Sequence, residues 1–117
     1  MNEVYKKRPS ELKREWKADM KNGAAIKCCV CDMLIENEWE LSVEHVVPLQ
    51  AGGDNFGKNL RPSHSWCNTV KKNMPHLLAR LMFKIRPDRG FWYELSLKGK
   101  LNPLYNLFSA INRTKRR

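Results

Sequence analysis

Glu44-His45-Val46-Val47-Pro48-Leu49-Gln50-Ala51-Gly52-Gly53-Asp54-Asn55-Phe56-Gly57-Lys58-Asn59-Leu60-Arg61-Pro62-Ser63-His64-Ser65-Trp66-Cys67-Asn68 is the stretch that decides the fold. It opens with an acid beside a histidine at the end of a β-favouring run, Leu41 to Val47. A loop holding Gly52, Gly53 and Gly57 follows. Asn59-Leu60-Arg61 then reads as a short extended piece, because a proline disfavours helix at the residue before it. A helix is expected to open near Ser63 or Ser65 as N-cap and to run through Trp66, Asn68, Val70 and Lys71. The order is strand, loop, strand, helix, with an acid, a histidine and two asparagines placed to converge. Such groups can hold a hard divalent cation and set a base beside it. Glu44 and His45 would face opposite sides of an ideal strand, so a shared centre requires irregular backbone at 44–48.

The pattern resembles the HNH nuclease family, whose ββα-metal core carries an acid-histidine pair, a middle asparagine before leucine, and a final His or Asn on the helix. Those positions here are Glu44-His45, Asn59 and Asn68, an H-N-N variant, and the resemblance covers about residues 26–73. It implies a metal-dependent DNA endonuclease that leaves 5′-phosphate and 3′-hydroxyl ends. Glu44 and Asn68 would hold one catalytic divalent ion, Mg²⁺ or Mn²⁺, and His45 would act as general base. An unperturbed imidazole titrates near neutral pH, which suits that task. Asn59 would tie the loop down and help set His45. Asp is commoner than Glu at position 44 in the family, which lengthens the ligating arm by a methylene.

Cys28 and Cys31 carry the two-residue spacer that lets one turn offer two thiolates to zinc. Alone, such a pair could also be a redox dithiol. His64-Ser65-Trp66-Cys67 repeats the spacer, so Cys28, Cys31, His64 and Cys67 are expected to form a closed, structural Cys3His zinc site. Two Cys-x-x-Cys pairs are the commoner form in the family, and His64 departs from it. Cys29 is read as a buried or free thiol.

The chain has 117 residues and a formal charge of +10. That length gives one small domain with a thin core, which a metal clip would help. The charge is unevenly spread: net +4 over residues 1–27, −5 over 28–60 and +11 over 61–117. An acidic centre between basic arms suits a cation site gripped by phosphate-binding surfaces. The charge points to nucleic acid without separating DNA from RNA, and the resemblance implies double-stranded DNA as the partner, with Arg61, Lys71 and Lys72 as candidate phosphate contacts. No apolar run is long enough for a membrane span, and Met1–Arg8 lacks a secretory apolar stretch. The reading is therefore intracellular, cytoplasmic, and similar to compact phage, homing or restriction nucleases.

The fold class expected is α+β: a zinc-stapled ββα core at about 26–73 within a single domain, 1–117. A basic helical arm, 1–23, precedes it and a helical, basic extension, 75–117, follows. In the arm, Ser10 should cap a helix from Glu11 to about Asn22, stopped by Gly23, with Leu12, Trp16 and Met20 on its packed face. Residues 33–40 form an acidic connector. Pro75 should start a helix from His76 to about Ile85 whose apolar stripe is Leu77, Leu78, Leu81, Met82 and Ile85. Phe91 to Leu97 has strand character. Asn102-Pro103 opens a last helix through Leu104, Leu107, Phe108 and Ile111, followed by a basic tail. The apolar residues of 77–111 are either core or a homodimer interface. The competing function is a catalytically inactive, zinc-stabilised nucleic-acid-binding module.

Overall fold

The computed structural model describes residues 6–115. The ends of the basic arms, 1–5 and 116–117, lie outside the described residues. Helix α1 (Pro9–Lys21) leads to a cysteine-bearing turn, then to strand β1 (Leu41–His45), a long loop, and strand β2 (Leu60–His64). Helix α2 (Ser65–Lys71) follows β2 without a break, and α3 (His76–Ile85), α4 (Arg89–Leu97) and α5 (Asn102–Lys115) complete the chain. The result is an α+β fold built on a ββα unit.

The strands pair antiparallel, with Leu41 opposite His64, Val43 opposite Pro62 and His45 opposite Leu60. A two-stranded sheet has only edges, so Pro62 costs no interior ladder bond. Leu41 and Leu60 are buried, and α1 and α2 both pack on the strands. Glu44 and His45 both lie in regular, paired strand, and the chain bends only after them, at Val46 and Val47, so the irregularity expected over 44–48 is confined to the residues that follow the pair.

The 46–59 loop is closed by backbone and side chain together. Val46 N–H donates to the Asn59 carbonyl at 2.9 Å, and Gly53 N–H to the Pro48 carbonyl at 3.0 Å. Gly53 lies so close to Val47 that a Cβ there would run into the Val47 carbonyl, so only glycine fits.

Three expectations need correction. First, α1 begins one residue before Ser10, with Pro9 in its first turn and Arg8 at the cap position; no side chain caps it. The fixed φ of proline supplies the start that Ser10 was expected to give. Gly23, at φ 90°, does follow the helix end. Second, Phe91–Leu97 is helix. Asp88 caps it, its Oδ1 accepting from Phe91 N–H at 3.1 Å, and Trp92 and Tyr93 pack edge-on against Phe83 and Trp66. Ring packing at helical spacing outweighs the β preference of the aromatic run. Third, α3 runs over the residues expected, but its stripe is divided. Ala79, Met82 and Phe83 are buried, whereas Leu77, Leu81 and Ile85 are exposed.

α5 returns along the ββα unit and is fastened to it by two side chains, Asn73 and Tyr105. Asn73 Nδ2 donates to the Tyr105 carbonyl at 2.9 Å and to Ser109 Oγ at 2.8 Å. Tyr105 in turn donates its hydroxyl to the Val70 carbonyl at 2.6 Å. Asn73 is buried, so these bonds are made away from water, where they hold best.

Candidate functional site

Two centres each take a residue from the start of α2, Cys67 for one and Asn68 for the other. The first gathers Cys28 and Cys31 from the turn after α1 with His64 and Cys67 from the β2–α2 junction. Their ligand atoms all lie within 4.8 Å of one another. The turn is shaped for this: Asp32 adopts a left-handed φ of 63°, and Asp32 N–H donates to the Cys28 carbonyl at 3.0 Å. Val30 and His64 each aim a backbone N–H at Cys28 Sγ, at 3.4 and 3.3 Å. His64 Nε2 donates to the Leu34 carbonyl at 3.1 Å. That bond leaves Nδ1 as the nitrogen turned to Cys31 and Cys67, at 3.4 and 3.8 Å.

The protons of the cluster are unevenly held. Hydrogen bonds from Cys31 and Cys67 drive the Cys28 thiol far below its ordinary value, and hydrogen bonds with Cys28 and Cys31 push Cys67 up. Burial lowers the His64 imidazole, yet the hydrogen bonds and charge of Cys28 and Cys31 carry it up to about 9. A thiolate is the form that binds metal, and the cluster already favours one. Three sulfurs and one imidazole nitrogen, converging in a buried space with the second imidazole nitrogen tied to a carbonyl, fit zinc. Cys29 is no part of it: burial pushes its thiol up to about 12. Arg80 braces the turn from α3, reaching the Cys29 carbonyl at 2.6 Å and Asp32 through both nitrogens at 3.0 and 2.7 Å.

The second centre is an open cleft of about 620 Å³. Glu44, His45 and Asn68 all line it, from β1 and from α2. His45 Nε2 lies 2.7 Å from Asn55 Oδ1. An amide oxygen only accepts, so Nε2 is the donating nitrogen, and in the neutral ring Nδ1 is then the accepting one. Asn68 Nδ2 donates to Ser42 Oγ at 3.0 Å and to the Val43 carbonyl at 3.2 Å, which leaves its amide oxygen as the atom able to ligate. Asn59 does not line the cleft. Its Oδ1 accepts from Val47 N–H at 2.8 Å, and its Nδ2 donates to the carbonyls of Val47 and Asp54 at 2.9 and 2.8 Å. It thereby spans the loop that presents Asn55.

Glu44 is 2 % exposed and Lys71 is 0 % exposed. The Lys71 ammonium donates to Glu44 Oε1 at 3.1 Å and to the His45 carbonyl at 2.9 Å. Glu44 Oε2 is buried with no hydrogen-bond partner. Burial pushes the Glu44 carboxyl up to about 7, against the downward pull of Lys71. An unsatisfied carboxylate oxygen and an amide oxygen from residues lining one cleft are hard donors, which suit a divalent cation such as Mg²⁺ or Mn²⁺.

Lys71 corrects the expectation that it meets a flanking phosphate: its charge is spent inside the fold. Lys72 is exposed, lines the cleft and lies 4.5 Å from the centre of the Tyr105 ring. Arg61 is exposed but does not line the cleft. Asn55 and the α5 wall, with Tyr105 and Ser109, belong to the site and were not read from the sequence.

The buried pair gives a measurable expectation. Lys71→Met strands Glu44 without its cation and should cost roughly 3–5 kcal/mol in urea unfolding. Adding Glu44→Leu should recover most of that loss. A Lys71→Met protein as stable as wild type would show that the pair contributes nothing.

Residues 28–74 match the family model described as HNH endonuclease. No curated protein and no solved structure matches the chain. No helix of the described residues is long and apolar enough to cross a membrane.

Proposed function

We propose that this chain, whose residues 28–74 match the HNH endonuclease family model, is a metal-dependent DNA endonuclease whose centre is the Glu44–His45–Asn68 cleft. The observation that carries the reading is the convergence on one open cleft of an imidazole with a free Nδ1, an unpartnered carboxylate oxygen and an amide oxygen.

His45 Nδ1 takes a proton from a water poised in line with the scissile phosphorus. Asn55 holds Nε2–H, so the ring presents the accepting nitrogen without having to change tautomer. Water oxygen bonds to phosphorus, the bond to the 3′ oxygen breaks, and the leaving oxygen takes a proton from solvent. The products are a 5′-phosphate and a 3′-hydroxyl. Glu44 Oε2 and the Asn68 amide oxygen would hold one Mg²⁺ or Mn²⁺, which when bound supplies Lewis-acid stabilisation of the charge developing on phosphate oxygens. Lys71 holds the other carboxylate oxygen and the His45 carbonyl, fixing both residues relative to each other. Asn59 serves the site through the loop it braces, and Lys72 faces the strand. The Cys3His cluster, with Zn²⁺, has four protein ligands and therefore a structural role.

The test is a metal titration of duplex cleavage by wild type, Glu44→Gln and Asn68→Ala. Each variant should need at least about tenfold more Mg²⁺ for half-maximal rate. Equal requirements would remove both residues from the metal site. A second reading, a zinc-stabilised nucleic-acid-binding module that does not cut, draws on one observation. The Lys71 ammonium already lies on the carboxylate that a metal would use. Absence of cleavage at any metal concentration would favour it.

A further inference from the structure

Beside the first cleft lies a second cavity of about 570 Å³, lined by Gln50, Asn106, Ser109, Asn112 and Arg113. Gln50 and Ser109 line both, so the two are continuous. Four of the five residues are spaced along one face of α5, and α5 lies outside the matched segment, 28–74. The cavity holds amides, a hydroxyl and a guanidinium, and no carboxylate. One of those amides is frustrated: Asn112 is 5 % exposed, and its Nδ2 is buried without an acceptor. A buried donor left unmade is costly, so its retention beside Arg113 calls for a ligand that brings acceptor oxygens and negative charge.

We propose that this cavity is a second phosphate subsite, in which Asn112 Nδ2 and Arg113 take a backbone phosphate of the nucleic acid whose scissile bond lies in the first cleft. The identity of the polymer rests on the nuclease reading; the anion chemistry does not. Tyr105 lines the first cleft and Arg113 the second, and eight residues of helix span about 12 Å. Asn73 keeps this spacing fixed, since it ties α5 to the end of α2. The C-terminal extension thereby sets the register of the strand without reading its sequence.

The experiment measures binding of a short fluorescein-labelled duplex across a salt series, with no added divalent ion, for wild type, Arg113→Gln and Asn106→Asp. Both substituted residues are exposed, so the variants keep the fold. Arg113→Gln should bind several-fold more weakly on every duplex sequence, with a log affinity–log salt slope smaller by about one. Asn106→Asp, which sets a carboxylate in the subsite, should lose more at low salt than at high salt. Unchanged affinity and slope in Arg113→Gln would overturn the subsite, as would a loss that follows duplex sequence, or a wild type that does not bind. Plasmid cleavage by the same wild-type sample separates the two claims. A protein that cuts but shows no Arg113 effect loses the subsite alone. One that shows the slope change but never cuts loses the nuclease reading alone.

Discussion

Cys67→Ser should abolish cooperative folding, and a chelator should do the same to the wild-type chain. Cys28, His64 and Cys67 are buried and Cys31 is half-buried, and the four come from segments 36 residues apart in sequence, Cys28 and His64. Among the described residues the sheet has two strands, and the cluster ties the cysteine turn to the β2–α2 junction beside a backbone bond from Cys29 N–H to the Pro62 carbonyl at 2.9 Å. A structural zinc is worth about 10–16 kcal/mol of apparent binding energy. That matches or exceeds the whole stability of an ordinary domain, about 5–15 kcal/mol. Thermal unfolding followed by circular dichroism should therefore show a sharp transition for the zinc-loaded protein and none after chelation. Returning zinc should restore the wild type but not Cys67→Ser. Cys29→Ser serves as the control, because that thiol lies outside the cluster, and it should shift stability by no more than about 1 kcal/mol. A Cys67→Ser protein that melts like wild type would remove the metal from the account of the fold.

His45→Ala should lower the cleavage rate by about 10²–10⁴, the usual contribution of a positioned general base. The side chain is half-buried at the cleft, and it hydrogen-bonds a loop residue, Asn55. Its removal therefore leaves the sheet, the Glu44–Lys71 pair and the zinc cluster in place, and the melting curve should barely move. Added imidazole should return part of the lost rate to His45→Ala and none to Glu44→Gln, since only the first variant lacks a base. A His45→Ala rate equal to wild type, on protein free of contaminating nuclease, would take the base role away from His45.

The parts of this protein that were legible in the sequence are those whose chemistry is local. Two-residue spacers at Cys28–Cys31 and His64–Cys67 announce a tetrahedral site, because one turn can offer two ligands only at such spacing. Pro62 and the Ser63–Ser65 region marked a strand-to-helix junction, and the helix does start at Ser65. What failed was decided by packing across the chain. Phe91-Trp92-Tyr93 looks like strand by composition, yet its rings meet Phe83 and Trp66 from a helix. A signal was present in Asp88, three residues before Phe91 and able to cap it. Lys71 was read by its charge alone. Its position three residues after Asn68 places both on one helix face, and that face meets β1, where Glu44 waits. Asn55 left no trace in any pattern: its meeting with His45 depends on a loop path closed by Gly53 and Asn59. The α5 wall of the cleft was equally hidden, since its approach depends on Asn73 finding Tyr105 and Ser109 more than 30 residues later.

The most direct test is nicking of supercoiled plasmid by zinc-loaded wild-type protein with Mg²⁺ or Mn²⁺, beside an EDTA control and His45→Ala. The account predicts conversion to nicked circles that requires the divalent ion and is lost in His45→Ala. Intact plasmid in every divalent metal, from protein shown to be folded and to bind DNA, would contradict it and leave a binding module in its place.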